Sequence, residues 1–409
     1  MRICIISKSF PRILPKTGIP VTIYVHTFAE QLVRFGHEVD VICAPTPDKK
    51  PQIYNVVEVG YPRVFSKNLY LSNIYEMWFS LSVGLNLRKL HTQNKYDIIH
   101  FFENPATAYM ALLLSKKDMP PFVFSSGRPV SGDKLDWESQ NVSRPIRTAS
   151  DTMHNYVFRH VDGITVSSAR LKEVLVAHLK LEEKKVMFTP FVAAEPEIFQ
   201  ADFDTKELRQ KLGISLSDPI ILCLGEVSPY KNQLSIIKAM PDIVKNHPTI
   251  KLLLVGTVLK SYRIQMEKVI QEHNLQENII FTGFVKDYST LSKYYNLADI
   301  YVLLSRSEGN MPKTTIEAMS CGKPIIVSNI PQNKEGAIYG DEMIFVDPYD
   351  IKVISGTVNR LLDNSRLRNQ LGKNARRTIA EYYTPQVVCK RMLVVYDQII
   401  GKKRSIKKL

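Results

Sequence analysis

The sequence predicts an α/β protein of two domains, each a doubly wound parallel sheet covered by helices. Three observations lead to this prediction. The chain has 409 residues, more than one hydrophobic core usually supports. Short, continuous apolar runs, typical of strands buried on both faces, alternate with segments of helical periodicity. A polar, acidic stretch, residues 193–218, lies between two such series and predicts a linker.

The first series opens with a βαβ unit: an apolar run at residues 2–7, helical spacing over 21–35, and a second run at 39–43. Further strands are predicted within residues 96–102, 121–129, 162–168 and 186–190. His100 lies near the carboxyl end of its strand, where α/β sites form, and a satisfied core histidine is the alternative. Gly18, in the loop after the first strand, either lets a phosphate approach the backbone or only forms a turn.

The second series repeats the same alternation. Its predicted strands are residues 219–225, 251–256, 278–283, 298–304, 324–327 and 341–348. Helical segments are predicted at residues 288–297, 351–363 and 365–382, and a last amphipathic helix at 385–399.

Composition limits the partners and the compartment. The net charge of +14 favours anionic partners such as nucleotide phosphates or acidic lipid headgroups. The five cysteines are scattered without a C-x-x-C pair, which argues against a zinc site or a disulfide framework. We find no secretory signal and no 18-residue uncharged apolar stretch, so we expect a cytoplasmic protein.

The aromatic, apolar segment 69–90 ends in basic residues and predicts either a core helix or a helix lying on a membrane surface. The basic tail 401–409 is a second candidate membrane contact.

The stretch 305–327 carries the most chemistry and predicts strand, loop, short helix and strand. Thr314 is the expected N-cap, and Thr314 with Glu317 fits a capping box. The helix start offers N–H groups to a diphosphate. Glu308 and Glu317 offer carboxylates to sugar or ribose hydroxyls. The alternative is a solvated loop acid at 308 and a plain capping residue at 317.

This stretch resembles the E-x7-E segment of retaining family 4 (group 1) glycosyltransferases, which have the GT-B fold. The sequence Glu317-Ala-Met-Ser-Cys-Gly-Lys-Pro-Ile-Ile326 matches the family closely. The spacing departs from the family, because eight residues rather than seven separate Glu308 from Glu317. We assign the extra residue to the loop Asn310-Met-Pro312.

The resemblance extends along the chain with further departures. Gly225 and Lys231 match the glycine and lysine of the family pattern Gly-Arg-x4-Lys-Gly, whereas Glu226 replaces the arginine and Asn232 the last glycine. In the first half the family often places a histidine after the strand near residue 125, where this chain reads Ser125-Ser-Gly-Arg128. Arg128 is therefore a candidate contact for a phosphate or an acidic acceptor.

The resemblance implies two Rossmann-like domains facing a central cleft. Residues 1–195, completed by the C-terminal helix 385–409, would take the acceptor, and residues 196–384 the nucleotide-sugar donor. The implied reaction is retaining transfer of a sugar, from a UDP-sugar in preference to a GDP-sugar, to a carbohydrate or lipid-linked acceptor in glycan, polysaccharide or glycolipid synthesis. An anionic membrane surface is a further candidate partner.

The resemblance also assigns roles to residues. Lys231 and Glu308 would be catalytic, with Lys231 stabilising the departing diphosphate and Glu308 the positive charge on the sugar. Arg128 and His100 are the acceptor-side candidates. The donor-binding residues would be Gly18, Gly225, Lys231, Gly309, Asn310, Met311, Pro312, Thr314 and Glu317. No cofactor or metal is expected, and the acids of Asp202-Phe-Asp204 are interpreted as solvated linker residues.

Other classes stay open. One is a GT-B subunit that binds sugar nucleotides without catalysis, favoured by Glu226 and the missing histidine. Another is a GT-B sugar-nucleotide epimerase or a phosphorylase-like enzyme. Nucleic-acid binding is not expected, since no basic module with stacking aromatic residues stands out.

Overall fold

A computed structural model describes residues 1–8, 20–45, 52–60, 69–102, 104–115, 118–126, 144–189 and 193–406. The chain divides into two compact units. The first comprises Met1–Phe191 together with Pro385–Leu409, and the second comprises Val192–Thr384. Each unit contains one parallel sheet with helices on both faces, so the predicted fold class is confirmed.

The first unit is built on a seven-stranded sheet in the order β3-β2-β1-β4-β5-β6-β7. Its strands are β1 (Arg2–Ile6), β2 (Glu38–Cys43), β3 (Asn55–Glu58), β4 (Ile98–Phe102), β5 (Phe122–Ser126), β6 (Gly163–Val166) and β7 (Val186–Phe188). The helices that follow them are α1 (Pro20–Arg34), α2 (Leu69–Asn94), α3 (Pro105–Ser115), α4 (Arg144–His160) and α5 (Ala169–Leu179). The central strands are buried along their whole length, as their continuous apolar runs require.

The second unit repeats the design with a six-stranded sheet in the order β10-β9-β8-β11-β12-β13. Its strands are β8 (Ile220–Leu224), β9 (Lys251–Val255), β10 (Ile279–Gly283), β11 (Ile300–Leu303), β12 (Ile325–Ser328) and β13 (Ile344–Val346). Its helices are α6 (Lys206–Leu212), α7 (Gln233–Asn246), α8 (Lys260–Glu272), α9 (Tyr288–Leu297), α10 (Lys313–Ser320), α11 (Pro331–Gly336), α12 (Ile351–Asp363) and α13 (Ser365–Thr378). In both sheets the strand order reverses beside the first strand of the unit, which creates a crevice at the carboxyl edge.

The last helix, α14 (Pro385–Ile406), returns to the first unit and packs with α1 on one face of its sheet. Met392 and Tyr396 of α14 are fully buried there among strand residues such as Ile5 and Val41. In the part of the chain that the structure describes, no helix is long and apolar enough to cross a membrane.

A buried polar column crosses the centre of the first sheet. His100 of β4 has no solvent exposure, and its ring nitrogens lie 2.5 Å from the Tyr396 hydroxyl and 2.6 Å from the Ser125 hydroxyl. Ser125 in turn lies 2.6 Å from the hydroxyl of Thr165 on β6. Burial lowers the pKa of His100 from its usual 6.5 to about 3, so the imidazole is neutral in the folded protein.

We predict that His100 makes the first unit sensitive to acid. Between pH 6.5 and about 3 the unfolded chain binds a proton at His100 and the folded chain does not, so stability falls as pH falls through 6.5. Replacing His100 by Asn should lower the free energy of unfolding at pH 7.5 and flatten its decline towards pH 5. Both tryptophans, Trp78 and Trp137, lie within the range of this unit, so urea unfolding followed by tryptophan fluorescence reports on it.

The exposed His178 provides the matched control. Its replacement by Gln should leave the decline with pH unchanged, because this side chain lies on the surface of α5 and not in the core of the unit. An equally steep decline in the wild type and in His100→Asn would contradict the role assigned to His100.

Candidate active site

The candidate site lies at the carboxyl edge of the second sheet, where the strand order reverses between β8 and β11. These two strands are hydrogen-bonded neighbours, so the loops that follow them leave the sheet side by side. Residues 225–232 follow β8 and residues 304–312 follow β11. The backbone links the two loops, since the amide of Arg306 donates a 3.0 Å hydrogen bond to the carbonyl of Tyr230.

Two glycines shape the entrance to the loop after β8. Gly225 has φ +143° and Gly256, after β9, has φ +146°, a backbone conformation that favours glycine. A Cβ on Gly256 would lie 1.9 Å from the carbonyl oxygen of Gly225, so glycine is required there for packing. A Cβ on Gly225 would meet no atom within 4 Å, so this backbone faces open space that a ligand can approach.

Lys231 and Glu308 meet across the two loops. The Lys231 ammonium donates to Glu308 Oε1 at 2.6 Å, and the side chains are 20% and 9% exposed. The Lys231 ammonium also lies 5.3 Å from the centre of the Tyr230 ring. The structure therefore brings together the two residues predicted to be catalytic, as an ion pair that is largely screened from water.

Asn232 explains one departure from the family pattern. It caps α7 with φ +56°, in the left-handed region that glycine and asparagine enter most easily. Its side-chain amide donates to the carbonyls of Leu304 and Pro348 at 3.2 and 3.1 Å, and so ties α7 to the ends of β11 and β13. Asparagine can take the place of glycine here because it adopts the same backbone conformation.

Glu226, the other departure, is exposed, while its backbone carbonyl accepts a 2.9 Å hydrogen bond from the Gln233 side chain. Within residues 193–406 no lysine, arginine or histidine lies close enough to form an ion pair with Glu226. The loop therefore has a carboxylate where the family pattern has a guanidinium, and Lys231 is the basic residue of residues 225–232.

The helix α10 begins differently from the prediction. Its N-cap is Pro312, not Thr314, and no side chain caps it, so the predicted capping box is wrong. The Thr314 hydroxyl instead accepts a 2.8 Å hydrogen bond from the Tyr301 hydroxyl. The amides of Thr315 and Ile316 donate to Pro312, whereas within residues 193–406 no acceptor contacts those of Lys313 and Thr314. These two N–H groups are the ones that a helix start offers to an anion.

Glu317 is buried between helices α9 and α10. Its Oε2 accepts a 2.8 Å hydrogen bond from the Tyr295 hydroxyl, and its Oε1 lies 3.6 Å from the Lys313 ammonium, one helical turn earlier. Burial raises the pKa of Glu317, and the attraction of Lys313 and the hydrogen bond from Tyr295 offset only part of that rise. Tyr295 and Lys313 thus hold the carboxylate at a position where burial disfavours its negative charge.

The other predicted donor-binding residues of the loop after β11 differ in their exposure to solvent. Gly309 is exposed and Asn310 half-buried, next to Glu308. Met311 is 6% exposed and belongs to the hydrophobic core of the unit, so only its backbone is available to a ligand. A Cβ on Gly336 would lie 1.9 Å from the Met311 sulfur, which makes glycine necessary at that contact.

Three predicted site residues belong to the first unit. Gly18 and Arg128 lie outside the described residues. His100 is fully buried with both ring nitrogens engaged, which argues against the acceptor-side role and matches its alternative interpretation as a core histidine.

Sequence reasoning missed the residues that surround Glu317. Lys313 had one usable signal, its i, i+4 spacing to Glu317, whereas no local pattern marks Tyr295.

The hydroxyls of Ser228 and Ser305 are also buried in the two loops without a hydrogen-bond partner among the described residues.

The linker acids do not form a cluster. Asp204 accepts a 2.9 Å hydrogen bond from the Lys206 amide at the start of α6. Among the residues that the structure describes, no group of three or more His, Cys, Asp or Glu side chains could hold a metal ion.

Comparison with known proteins identifies the family. The family model described as "Glycosyl transferases group 1" matches residues 204–378, and the model described as "Glycosyltransferase Family 4" matches residues 21–190. An uncharacterized glycosyltransferase of Methanocaldococcus jannaschii is 26% identical over 403 residues, which cover 97% of this chain and 98% of that protein.

Solved structures show the same fold. The sucrose-phosphate synthase of Thermosynechococcus elongatus has a TM-score of 0.75 and 20% identity, covering 98% of this chain and 100% of the other. Anabaena HepE in complex with UDP-glucose has a TM-score of 0.67 and 15% identity, with 99% of each chain covered. The chain therefore belongs to the group 1, family 4 type of glycosyltransferases and has their GT-B fold of two Rossmann-like domains.

Proposed function

We propose that the second unit binds a nucleoside diphosphate sugar, with a UDP-sugar favoured over a GDP-sugar, and that the chain transfers the sugar with retention to an acceptor hydroxyl. The observation that carries this proposal is the pairing of Lys231 with Glu308 across the loops that follow β8 and β11, at the switch point of the sheet. The UDP-glucose complex of HepE, a protein with the same fold, supports the choice of UDP.

Each group has a distinct part in the proposed reaction. The bond between the anomeric carbon and the phosphate oxygen breaks, and negative charge grows on the diphosphate. Lys231 and the free amides of Lys313 and Thr314 stabilise that charge. Glu308 stabilises the positive charge on the sugar, and Glu317 accepts hydrogen bonds from the ribose hydroxyls. The acceptor oxygen bonds to the same face of the carbon, and its proton passes to the leaving phosphate, so no protein nucleophile is needed.

Lys231 and Glu308 form an ion pair with a separation of 2.6 Å. Each charge neutralises the other, so neither is left unpaired in a largely buried place. A diphosphate would draw the ammonium towards itself and leave the Glu308 carboxylate facing the sugar. This exchange of partners lets both residues act in the reaction, while their pairing with each other leaves neither charge uncompensated.

A second candidate is a sugar-nucleotide-binding subunit without transfer activity, and the exposed carboxylate of Glu226 favours it. A carboxylate replaces the cation with which the family pattern holds the diphosphate, and it repels that group. Release of free UDP from UDP-glucose by the wild-type protein separates the two candidates, because a binding subunit would release none.

We predict that the two glutamates differ in their effect on binding and on turnover. Glu317→Gln should weaken UDP-glucose binding roughly ten- to a hundredfold, because a charge-assisted hydrogen bond contributes about 1.5–3 kcal/mol. Its melting temperature should change little, because the loss of the pairing with Lys313 offsets the removal of a charge that burial disfavours. Glu308→Gln should lower turnover more than affinity, since its charge matters most in the transition state.

The measurements are calorimetric titration with UDP-glucose, the rate of UDP release, and thermal melting. Glu277→Gln, an exposed turn residue of the same unit, is the control and should change none of them. Unchanged affinity and turnover in both site variants would show that neither glutamate belongs to the donor site.

We predict that transfer does not require a divalent metal. The cation of Lys231 and the amides at the start of α10 are proposed to take the role that a metal plays in other transferases. UDP release should therefore persist in excess EDTA at a rate close to that of the untreated protein. Full loss in EDTA, followed by recovery with Mg²⁺ or Mn²⁺, would overturn this prediction.

We predict that the first unit binds anionic membranes, consistent with a lipid-linked acceptor and a peripheral cytoplasmic location. Helix α2 exposes the apolar Met77, Trp78 and Leu85 and, further along, the basic Arg88. Cosedimentation with phosphatidylserine vesicles should exceed that with neutral vesicles and should decline as salt rises.

Changing Leu85 to Ser should weaken this cosedimentation, because it removes exposed apolar surface from the membrane contact. The control is Leu216→Ser, an equally exposed leucine of the second unit, which should bind vesicles like the wild type. Binding that is insensitive to salt, or lost equally in both variants, would argue against an electrostatic contact through α2.

A further inference from the structure

Four side chains on α9 and α10 form a single arrangement around Glu317. On α9, Tyr288 and Tyr295 are seven residues apart and share a face of the helix. On α10, Lys313 and Glu317 are four residues apart and also share a face. Tyr295 donates to Glu317 at 2.8 Å, and the Lys313 ammonium lies 4.9 Å from the centre of the Tyr288 ring.

Helix stability does not explain a lysine at position 313. A cation at a helix N-terminus is opposed by the helix dipole. The order lysine before glutamate is also the less favourable one for an i, i+4 pair. In addition, the Lys313 side chain is only 23% exposed, so its ammonium gives up much of its hydration. Lys313 therefore occupies a position where the helix dipole, the order of the pair and the loss of hydration all oppose its charge.

The charged form of Lys313 is stabilised by electrostatic attraction to neighbouring groups. Burial works to lower the pKa of Lys313, but attraction to Glu317, Tyr288 and Glu195 outweighs it, and the pKa is raised. Lys313 is therefore a fixed positive charge at neutral pH. Its partner Glu317 is the group in this arrangement whose charged form is disfavoured by burial.

We propose that Lys313 is a positioning residue that keeps Glu317 ionised and oriented to accept the ribose hydroxyls of the donor. The proposal rests on the proposed function, since it deepens the role given there to Glu317. With Oε1 facing Lys313 and Oε2 facing Tyr295, the carboxylate is fixed in one orientation. Each oxygen keeps a further lone pair with which to accept a hydrogen bond from a ligand.

The pH dependence follows from the groups that face Glu317. Tyr295 of α9 and Tyr301 of β11 are buried, un-ionised phenols at neutral pH, since burial raises the pKa of each. Glu195, before α6, is a like charge that opposes ionisation of Glu317. Burial and Glu195 both raise the pKa of Glu317, and Lys313 is the cation that lowers it. Removing it should therefore raise the pKa of Glu317 further.

The test compares Lys313→Met, which keeps the length of the side chain without its charge, with Lys313→Arg, which keeps the charge. The carboxyl carbon of Glu317 is titrated by NMR in the ligand-free proteins and assigned from its loss in Glu317→Gln. We expect the titration midpoint to rise by about 1–3 pH units in Lys313→Met and to stay near the wild type in Lys313→Arg.

The same variants are then titrated with UDP-glucose across pH. Affinity should fall at low pH in every protein, and the fall should begin at higher pH in Lys313→Met, with recovery of affinity in alkaline buffer. Lys268→Met is the matched control, because Lys268 and Glu272 form an exposed lysine–glutamate pair of the same spacing. It should behave like the wild type throughout.

The outcomes separate this proposal from the one on which it rests. An unchanged Glu317 midpoint in Lys313→Met overturns the positioning role. Loss of affinity by the same factor at every pH also overturns it, because that result means direct contact of Lys313 with the donor. If wild-type protein does not bind UDP-glucose, the proposed donor is wrong, while the NMR titration still decides the role of Lys313. Should Lys313→Met fold poorly by thermal melting, Lys313→Gln serves as the second neutral variant.

Discussion

A charge can be buried in a protein only where a partner compensates for its lost hydration, and the candidate site depends on this constraint. Its two carboxylates, Glu308 and Glu317, are 9% and 3% exposed. Each is matched with a lysine, Glu308 with Lys231 from the neighbouring loop and Glu317 with Lys313 from the preceding helical turn. The site therefore holds two negative groups among buried residues without an unpaired charge.

The parallel sheet determines which charges can meet in this way. Lys231 and Glu308 are far apart in sequence but close in space, because β8 and β11 are neighbours and their loops leave the same edge. The loops are also fixed to the sheet by contacts that involve no charged group. Asn232 bonds to the ends of β11 and β13, and Gly256 lets the backbone of Gly225 approach closely. The ion pair is consequently a product of the fold.

Sequence patterns predicted each described strand except β3, a four-residue edge strand that is only partly buried. They also pointed to Glu308 and Glu317, whose role in donor binding stays a prediction. The buried strands, for example β4 and β8, are continuous apolar runs in the sequence. Such a run is enough to predict a parallel strand, because both faces of the strand are covered. The patterns failed where a tertiary contact decided the outcome. Thr314 fits a local capping rule, but the hydroxyl of Tyr301 engages its side chain, and Pro312 takes the N-cap position. His100 was predicted near the carboxyl end of its strand, but it is the third of the five residues of β4, where Tyr396 of α14 and Ser125 of β5 enclose it.

The extra residue between the two glutamates shows how a departure in spacing is absorbed. A longer loop after β11 would be expected to displace Glu308 from the donor side of the sheet. Glu308 nevertheless lies 2.6 Å from Lys231, because the loop turns inward at Met311 and buries that side chain in the core. Room for the sulfur exists because Gly336 of α11 has no Cβ. A side chain at position 336 would therefore displace Met311, the residue that anchors this loop in the core.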